Sequence, residues 1–241
     1  MSDHIGAGYG SEFHLMRYLA RYRNTLDDKI KREIGEGFLE WLDFIPGTDK
    51  EYNIQVPRKI KLPDHEITGV DFLREEHPQV FEEWKSFWPQ SGNQQNWDAV
   101  CRIEIDGTNH WLLVEAKANT GEIKSSCGAE APSMKIINAA LSEMQKAFNL
   151  NSPNDLTRKY YQYANRLAVL YFLSKHIVPS KLLFIYFTGD KNPEKEKGCP
   201  KSVEEWKKAL EEQYKWIGLD PAQKRTLGIH DLFLDVVPSK R

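Results

Sequence analysis

Two apolar segments joined through Asp106-Gly107 constrain this chain more than any other feature. WDAVCRIEI, 97 to 105, and HWLLVEAKA, 110 to 118, both read as strands. A short Asp-Gly link between such segments is a strong hairpin signal, because it accepts the positive φ that a tight turn needs. The second strand begins as a buried one, Trp111-Leu112-Leu113-Val114. It then carries Glu115 and Lys117 with only Ala116 between them. Side chains alternate across a sheet, so the acid and the base share a face. Burying a charge is costly unless it is paired or coordinates a metal.

The loop length decides what joins them. A two-residue loop sets Ile105 opposite Thr108 and Asp98 opposite Glu115. A four-residue loop, 106 to 109, sets Asp98 opposite Lys117 with Glu115 on the diagonal. Both put Asp98, Glu115 and Lys117 on one face, whereas a three-residue loop turns Asp98 to the other. Asp-Gly suits a tight turn and favours the even loops. Opposed Cβ atoms lie roughly 4.5–5.5 Å apart, so two carboxylates there repel unless a cation lies between them. Carboxylate oxygens are hard ligands suited to Mg²⁺ or Mn²⁺. A lysine beside such an ion can neutralise charge developing on a phosphate. The plain alternative is a cross-strand salt bridge, although one lysine does not neutralise two acids.

The rest of the chain alternates helices and strands. Leu15, Leu19, Tyr22, Leu26, Ile30 and Ile34 recur at helical steps over 11 to 34, ending at Gly35 and Gly37. FLEWLDF leads to a turn at Pro46-Gly47, and 50 to 62 contains a short strand limited by Pro57. Residues 71 to 88 read as a helix and SGNQQN, 91 to 96, as a loop. Helices are expected over 133 to 148 and 156 to 175, then a buried strand over 181 to 189. SVEEWKKALEEQYKWIG is a helix whose Ser202 and Glu205 fit a capping box, and HDLFLDVVP is a last strand. This order predicts an α/β chain with one mixed sheet. Its 241 residues are read as a single domain, 1 to 241, with an insertion around 50 to 95.

Composition narrows the partners. A net charge of −2 gives no global pull towards nucleic acid, so any such binding relies on local patches. Arg17, Arg21, Arg23, Lys29, Lys31 and Arg32 form a basic stretch, but Asp27, Asp28 and Glu33 interrupt it, so a solvated helix face is the default. No apolar run approaches the roughly 20 residues needed to span a bilayer, so no membrane is expected. The three cysteines are far apart and form no CxxC pair. That pattern predicts a reducing, cytoplasmic setting and no thiolate metal site. Lys124, Ser125, Ser126 and Cys127 follow the charged strand and would form the mouth of a site. Cys127 has no neighbouring histidine to activate it and reads as structural.

Asp98 followed by Glu115-Ala116-Lys117 on the next strand of a hairpin resembles the PD-(D/E)XK nuclease superfamily. The resemblance implies a restriction-endonuclease-like fold, a mixed β-sheet flanked by helices, in which a helix precedes three strands, then a helix and another strand. It implies Mg²⁺-dependent (or Mn²⁺-dependent) hydrolysis of nucleic-acid phosphodiesters, DNA first. Asp98, Glu115 and the Ala116 carbonyl would be metal ligands, and Lys117 the catalytic lysine. Trp97 stands where the name-giving proline would be. Glu33, Glu36 and Glu40 are candidates for the further acid that many members supply from an N-terminal helix. Gln162 and Arg166 in YYQYANRL are similar to the glutamine-bearing helix of exonuclease-like members, although a solvated helix face is the preferred reading of that pair. The whole sequence is also similar to a group of bacterial proteins of undefined role. The competing function is a nuclease-fold protein without catalysis that binds nucleic acid or protein.

Overall fold

Helices α1, Ser11–Arg21, and α2, Arg23–Ile34, divide what the sequence predicts as one helix. The break is at Tyr22, whose φ of −130° leaves the helical range. Arg23 Nε donates to Leu19 O at 2.9 Å, so a side chain takes over a carbonyl that the helix no longer uses. This computed structural model describes residues 8–35, 37–42, 49–53, 59–63, 67–92, 94–193 and 195–238. Glu36, the Pro46-Gly47 turn and Pro57 lie outside the described residues.

After α2 comes the short strand β1, Leu39–Trp41. Where one strand was expected over 50 to 62, the backbone forms a hairpin of β2, Asp49–Asn53, and β3, Lys59–Pro63. Strand β4, Ile67–Thr68, is followed by a 3-10 turn over Asp71–Leu73 and by helix α3, Pro78–Phe87. The expected strand over 97 to 105 is interrupted at Asp98. Strand β5, Asn96–Trp97, pairs with β4, and β6, Ala99–Ile105, begins immediately after the bend. Strand β7, Thr108–Lys117, completes the hairpin. Helix α4, Ala131–Ala147, and helix α5, Tyr161–Lys175, lead to strand β8, Ser180–Thr188. Helix α6, Val203–Ile217, carries the Ser202 cap, whose side chain accepts from the Glu205 N–H. The short helix α7, Pro221–Thr226, was not expected, and β9, Ile229–Asp235, closes the order.

One five-stranded mixed sheet runs β1-β6-β7-β8-β9. The first two pairings are antiparallel and the last two parallel. The β6–β7 turn is the two-residue one: Ile105 lies opposite Thr108, Arg102 opposite Trp111 and Ala99 opposite Val114. Asp106 and Gly107 take φ of 50° and 74°, as a turn with two left-handed central residues requires. A Cβ on Gly107 would meet nothing within 4 Å. Gly107→Ala therefore tests backbone strain alone and is expected to cost about 1 kcal/mol in urea unfolding. A neutral result would mean that this turn does not hold the register.

The two sheet faces are covered differently. Ala99, Cys101, Leu112, Val114 and Ala116 meet Leu15, Tyr18, Leu26 and Ile30 from α1 and α2. Val100, Trp111, Leu113 and Phe184 meet residues of α3, α4, α5 and α6, among them Trp84, Leu141, Leu167 and Trp206. By alternation, Asp98, Glu115 and Lys117 belong to this second face. Among the described residues, no helix is long and apolar enough to cross a membrane.

Candidate functional site

The bend at Asp98 positions its carboxylate. The Asp98 N–H still donates to the Val114 carbonyl at 3.1 Å, which keeps the residue in hairpin register. Asp98 Oδ2 accepts from the Ala116 N–H at 2.6 Å. No partner for Oδ1 occurs among the described residues. β7 is the middle strand of five and carries Glu115 and Lys117 into the interior with 3% and 9% of their surface exposed. Lys117 Nζ donates to Glu115 Oε1 at 2.5 Å.

The second oxygen of Glu115 is held from α5. Arg166 Nε and Nη2 both donate to Glu115 Oε2, at 2.9 and 2.7 Å. The same guanidinium donates to the Asn96 carbonyl at 2.6 Å and to Asn165 Oδ1 at 2.8 Å. It lies 4.8 Å from the centre of the Trp97 ring. Arg166 is 2% exposed. Its expected place on a solvated face is therefore corrected: ten residues of α5 are buried, and the guanidinium is held against Glu115.

Two carboxyl groups and two cations thus share one cluster, in which Glu115, Lys117 and Arg166 are buried and Asp98 is half-buried. Burial alone would raise the Glu115 carboxyl, but Arg166 and then Lys117 hold it below the ordinary glutamate range. Burial works to lower the Lys117 ammonium, and Glu115 and Asp98 override it, so the amine stays protonated. Among the described residues Asp98 has only a backbone N–H, that of Ala116, as a direct hydrogen-bond partner. Burial first and the Glu115 charge second push its carboxyl up to about 8.

These groups form the floor of an open cleft of about 640 Å³. Its walls include Gln95, Ser125, Tyr161, Gln162 and Asn165. Ser125 lies at the mouth, as expected of the segment after β7, and its Oγ accepts from the Gln162 N–H at 2.8 Å. Gln162 is half-buried beside the cluster. The N-terminal acids lie elsewhere. Glu33 Oε1 is 3.5 Å from His230 Nδ1, next to β9. Glu40 is exposed on β1, paired in register with Arg102. Cys127 lines a neighbouring groove and donates its backbone N–H to the Thr157 carbonyl.

The donor set suits one kind of cation. Among the described residues no three His, Cys, Asp or Glu side chains are arranged to hold a metal. Asp98, Glu115 and a main-chain carbonyl are hard oxygen donors, too few for an all-protein cage. They fit an ion such as Mg²⁺, which keeps several of its waters. Binding one would require Glu115 to release an oxygen from Lys117 or Arg166. Of the amide-rich wall, Gln162 was a sequence candidate, while Gln94, Gln95, Asn96 and Asn165 were missed at the sequence level. The signal for the first three of these was the run SGNQQN, read only as a loop. Comparison with models of protein families, with curated proteins and with solved structures returns no match, so the chain's own geometry carries its functional reading.

Proposed function

We propose that the protein is a metal-dependent nuclease that hydrolyses phosphodiester bonds, DNA first. The observation that carries this reading is the meeting of Asp98, Glu115 and Lys117 on one sheet face at the floor of a cleft. The element order supports it: helix α2, strands β1, β6 and β7, helices α4 and α5, then β8 parallel to β7, with β2 to β5 and α3 as the insertion. The PD-(D/E)XK resemblance implies this order with one helix before the last strand, where this chain has two.

Asp98 and Glu115 would hold Mg²⁺ or Mn²⁺, together with the Ala116 carbonyl. When bound, the ion supplies a water of lowered pKa and polarises a phosphoryl oxygen. The Lys117 ammonium stands beside both acids and neutralises charge gathering on the phosphate as a P–O bond breaks. Arg166 acts through Glu115: its two donors fix the carboxylate plane and make it a positioning residue. Gln162 borders the same floor and is in reach of the strand. Glu40 lies too far along the sheet face to share this work.

The test is cleavage of single-stranded, double-stranded and branched substrates with Mg²⁺, Mn²⁺ or EDTA. Cleavage is expected only with a divalent ion. Lys117→Ala and Glu115→Ala are each expected to lower the rate by about 100-fold or more. Unchanged cleavage in both variants would remove these residues from the reaction.

One observation favours a second reading, a binding module without catalysis. Lys117 and Arg166 already satisfy both oxygens of Glu115 without an ion. That reading expects nucleic-acid or protein binding indifferent to Mn²⁺.

A further inference from the structure

Gln95 has no structural explanation in the cluster beneath it. It is 5% exposed, and both its Nε2 and Oε1 are buried without a hydrogen-bond partner among the described residues. An unpaired buried polar group costs on the order of 1–3 kcal/mol, so two on one side chain call for a partner that is bound only in use. Its main chain is fixed, since the Gly69 N–H donates to the Gln95 carbonyl at 2.8 Å. One residue on, Asn96 pairs with Thr68. Trp97, fully buried, donates from its indole to the Gly69 carbonyl at 2.8 Å. The carboxamide is thus anchored on a short rigid ladder, three residues before Asp98, and borders the same cleft.

We propose that Gln95 reads a nucleobase of an unpaired strand whose phosphodiester lies over Asp98 and Glu115. The inference rests on the nuclease reading and names its substrate: single-stranded or locally unpaired nucleic acid with an adenine beside the scissile phosphate. A carboxamide offers one donor next to one acceptor, which matches the exocyclic amine and ring nitrogen on the edge of adenine. A cleft of about 640 Å³ has room for a nucleotide or two, and a carboxamide buried in its wall meets a base edge only after that base has left the stack. Tyr161, half-buried, lines the same cleft wall, and an aromatic side chain there can stack on a base.

The experiment uses the full chain and thymidine 12-mers carrying one central adenine, cytosine or guanine, as single strands and in duplex with their complements. Anisotropy in EDTA reads binding, and Mg²⁺ or Mn²⁺ reads cleavage. Wild type is expected to favour the adenine strand by about tenfold over the all-thymidine strand and over the duplexes. Gln95→Met, which removes the unpaired atoms at similar volume, is expected to fold at least as stably and to lose the preference to within about twofold. Cleavage with no base preference, or a preference untouched in Gln95→Met, overturns the inference and leaves the nuclease reading standing. An adenine preference in binding without any cleavage supports the base-reading role and sinks the nuclease reading. Tighter binding of duplex than of single strands also overturns the inference.

Discussion

Arg166→Ala is expected to lower stability by about 3–5 kcal/mol, the cost of leaving a buried charge without its partner. Arg166 and Glu115 are 2% and 3% exposed and share two charge-assisted bonds. Removing the guanidinium leaves Glu115 Oε2 unpaired next to Asp98 and strips a cation from the Trp97 face. Arg166→Lys does not rescue it, since an ammonium cannot make a bidentate pair or stack as a plane. The double replacement Glu115→Gln, Arg166→Met removes both charges together and is expected to recover most of the loss. Urea unfolding of the three variants reads this directly. An Arg166→Ala protein within about 1 kcal/mol of wild type would mean that the pair is solvated and open, as surface ion pairs are. Such a result would also take from Glu115 the fixed orientation on which metal binding depends.

The hairpin and its three charged residues were legible because they are set by local rules. Alternation of period two and the geometry of an Asp-Gly turn are properties of neighbouring residues, and the register Ile105–Thr108 follows from them. Arg166 was not legible as a partner of Glu115, because 51 residues separate the two and no periodicity links a helix to a particular strand position. There was nevertheless a sequence signal in α5. YQYANRLAVLYFLSK is apolar except at Gln162, Asn165 and Arg166 in its first turns and at its last two residues, so an arginine set among so many apolar neighbours pointed to a buried, paired side chain. The break at Tyr22 was hidden by apolar spacing that continues in phase across α1 and α2. The interruption at Asp98 was hidden for the opposite reason. Trp97 and Ala99 both look like strand residues, and only the pairing of β5 with β4 shows that the chain changes sheets there.

That change of sheets leaves Asp98 as the uncompensated member of the cluster, and Asp98→Asn tests what it is for. Burial, then Glu115, raises its carboxyl to about 8 in the folded chain, against about 3.9 when unfolded. Between those values the folded state holds a proton that the unfolded state has released. The contribution of this group to stability is therefore greatest at acid pH and is lost as pH rises from about 4 through about 8. The carboxamide of the Asp98→Asn variant keeps an acceptor for the Ala116 N–H and does not titrate. Without divalent ions the variant is expected to match wild type near pH 4–5 and to exceed it at pH 8 by on the order of 2 kcal/mol, after discounting for water that reaches a half-buried group. Mn²⁺ or Mg²⁺ should reverse the ranking. An ion needs the ionised acid, so it stabilises wild type by about 2.7 kcal/mol at 100 times its dissociation constant and leaves Asp98→Asn unmoved. The melts at pH 8, in EDTA and in Mn²⁺, should therefore cross, and Asp98→Asn should cleave no substrate. If wild type and variant respond alike to Mn²⁺, the acid is not a ligand, and the binding module without catalysis becomes the better account of why this strand carries charges into a protein interior.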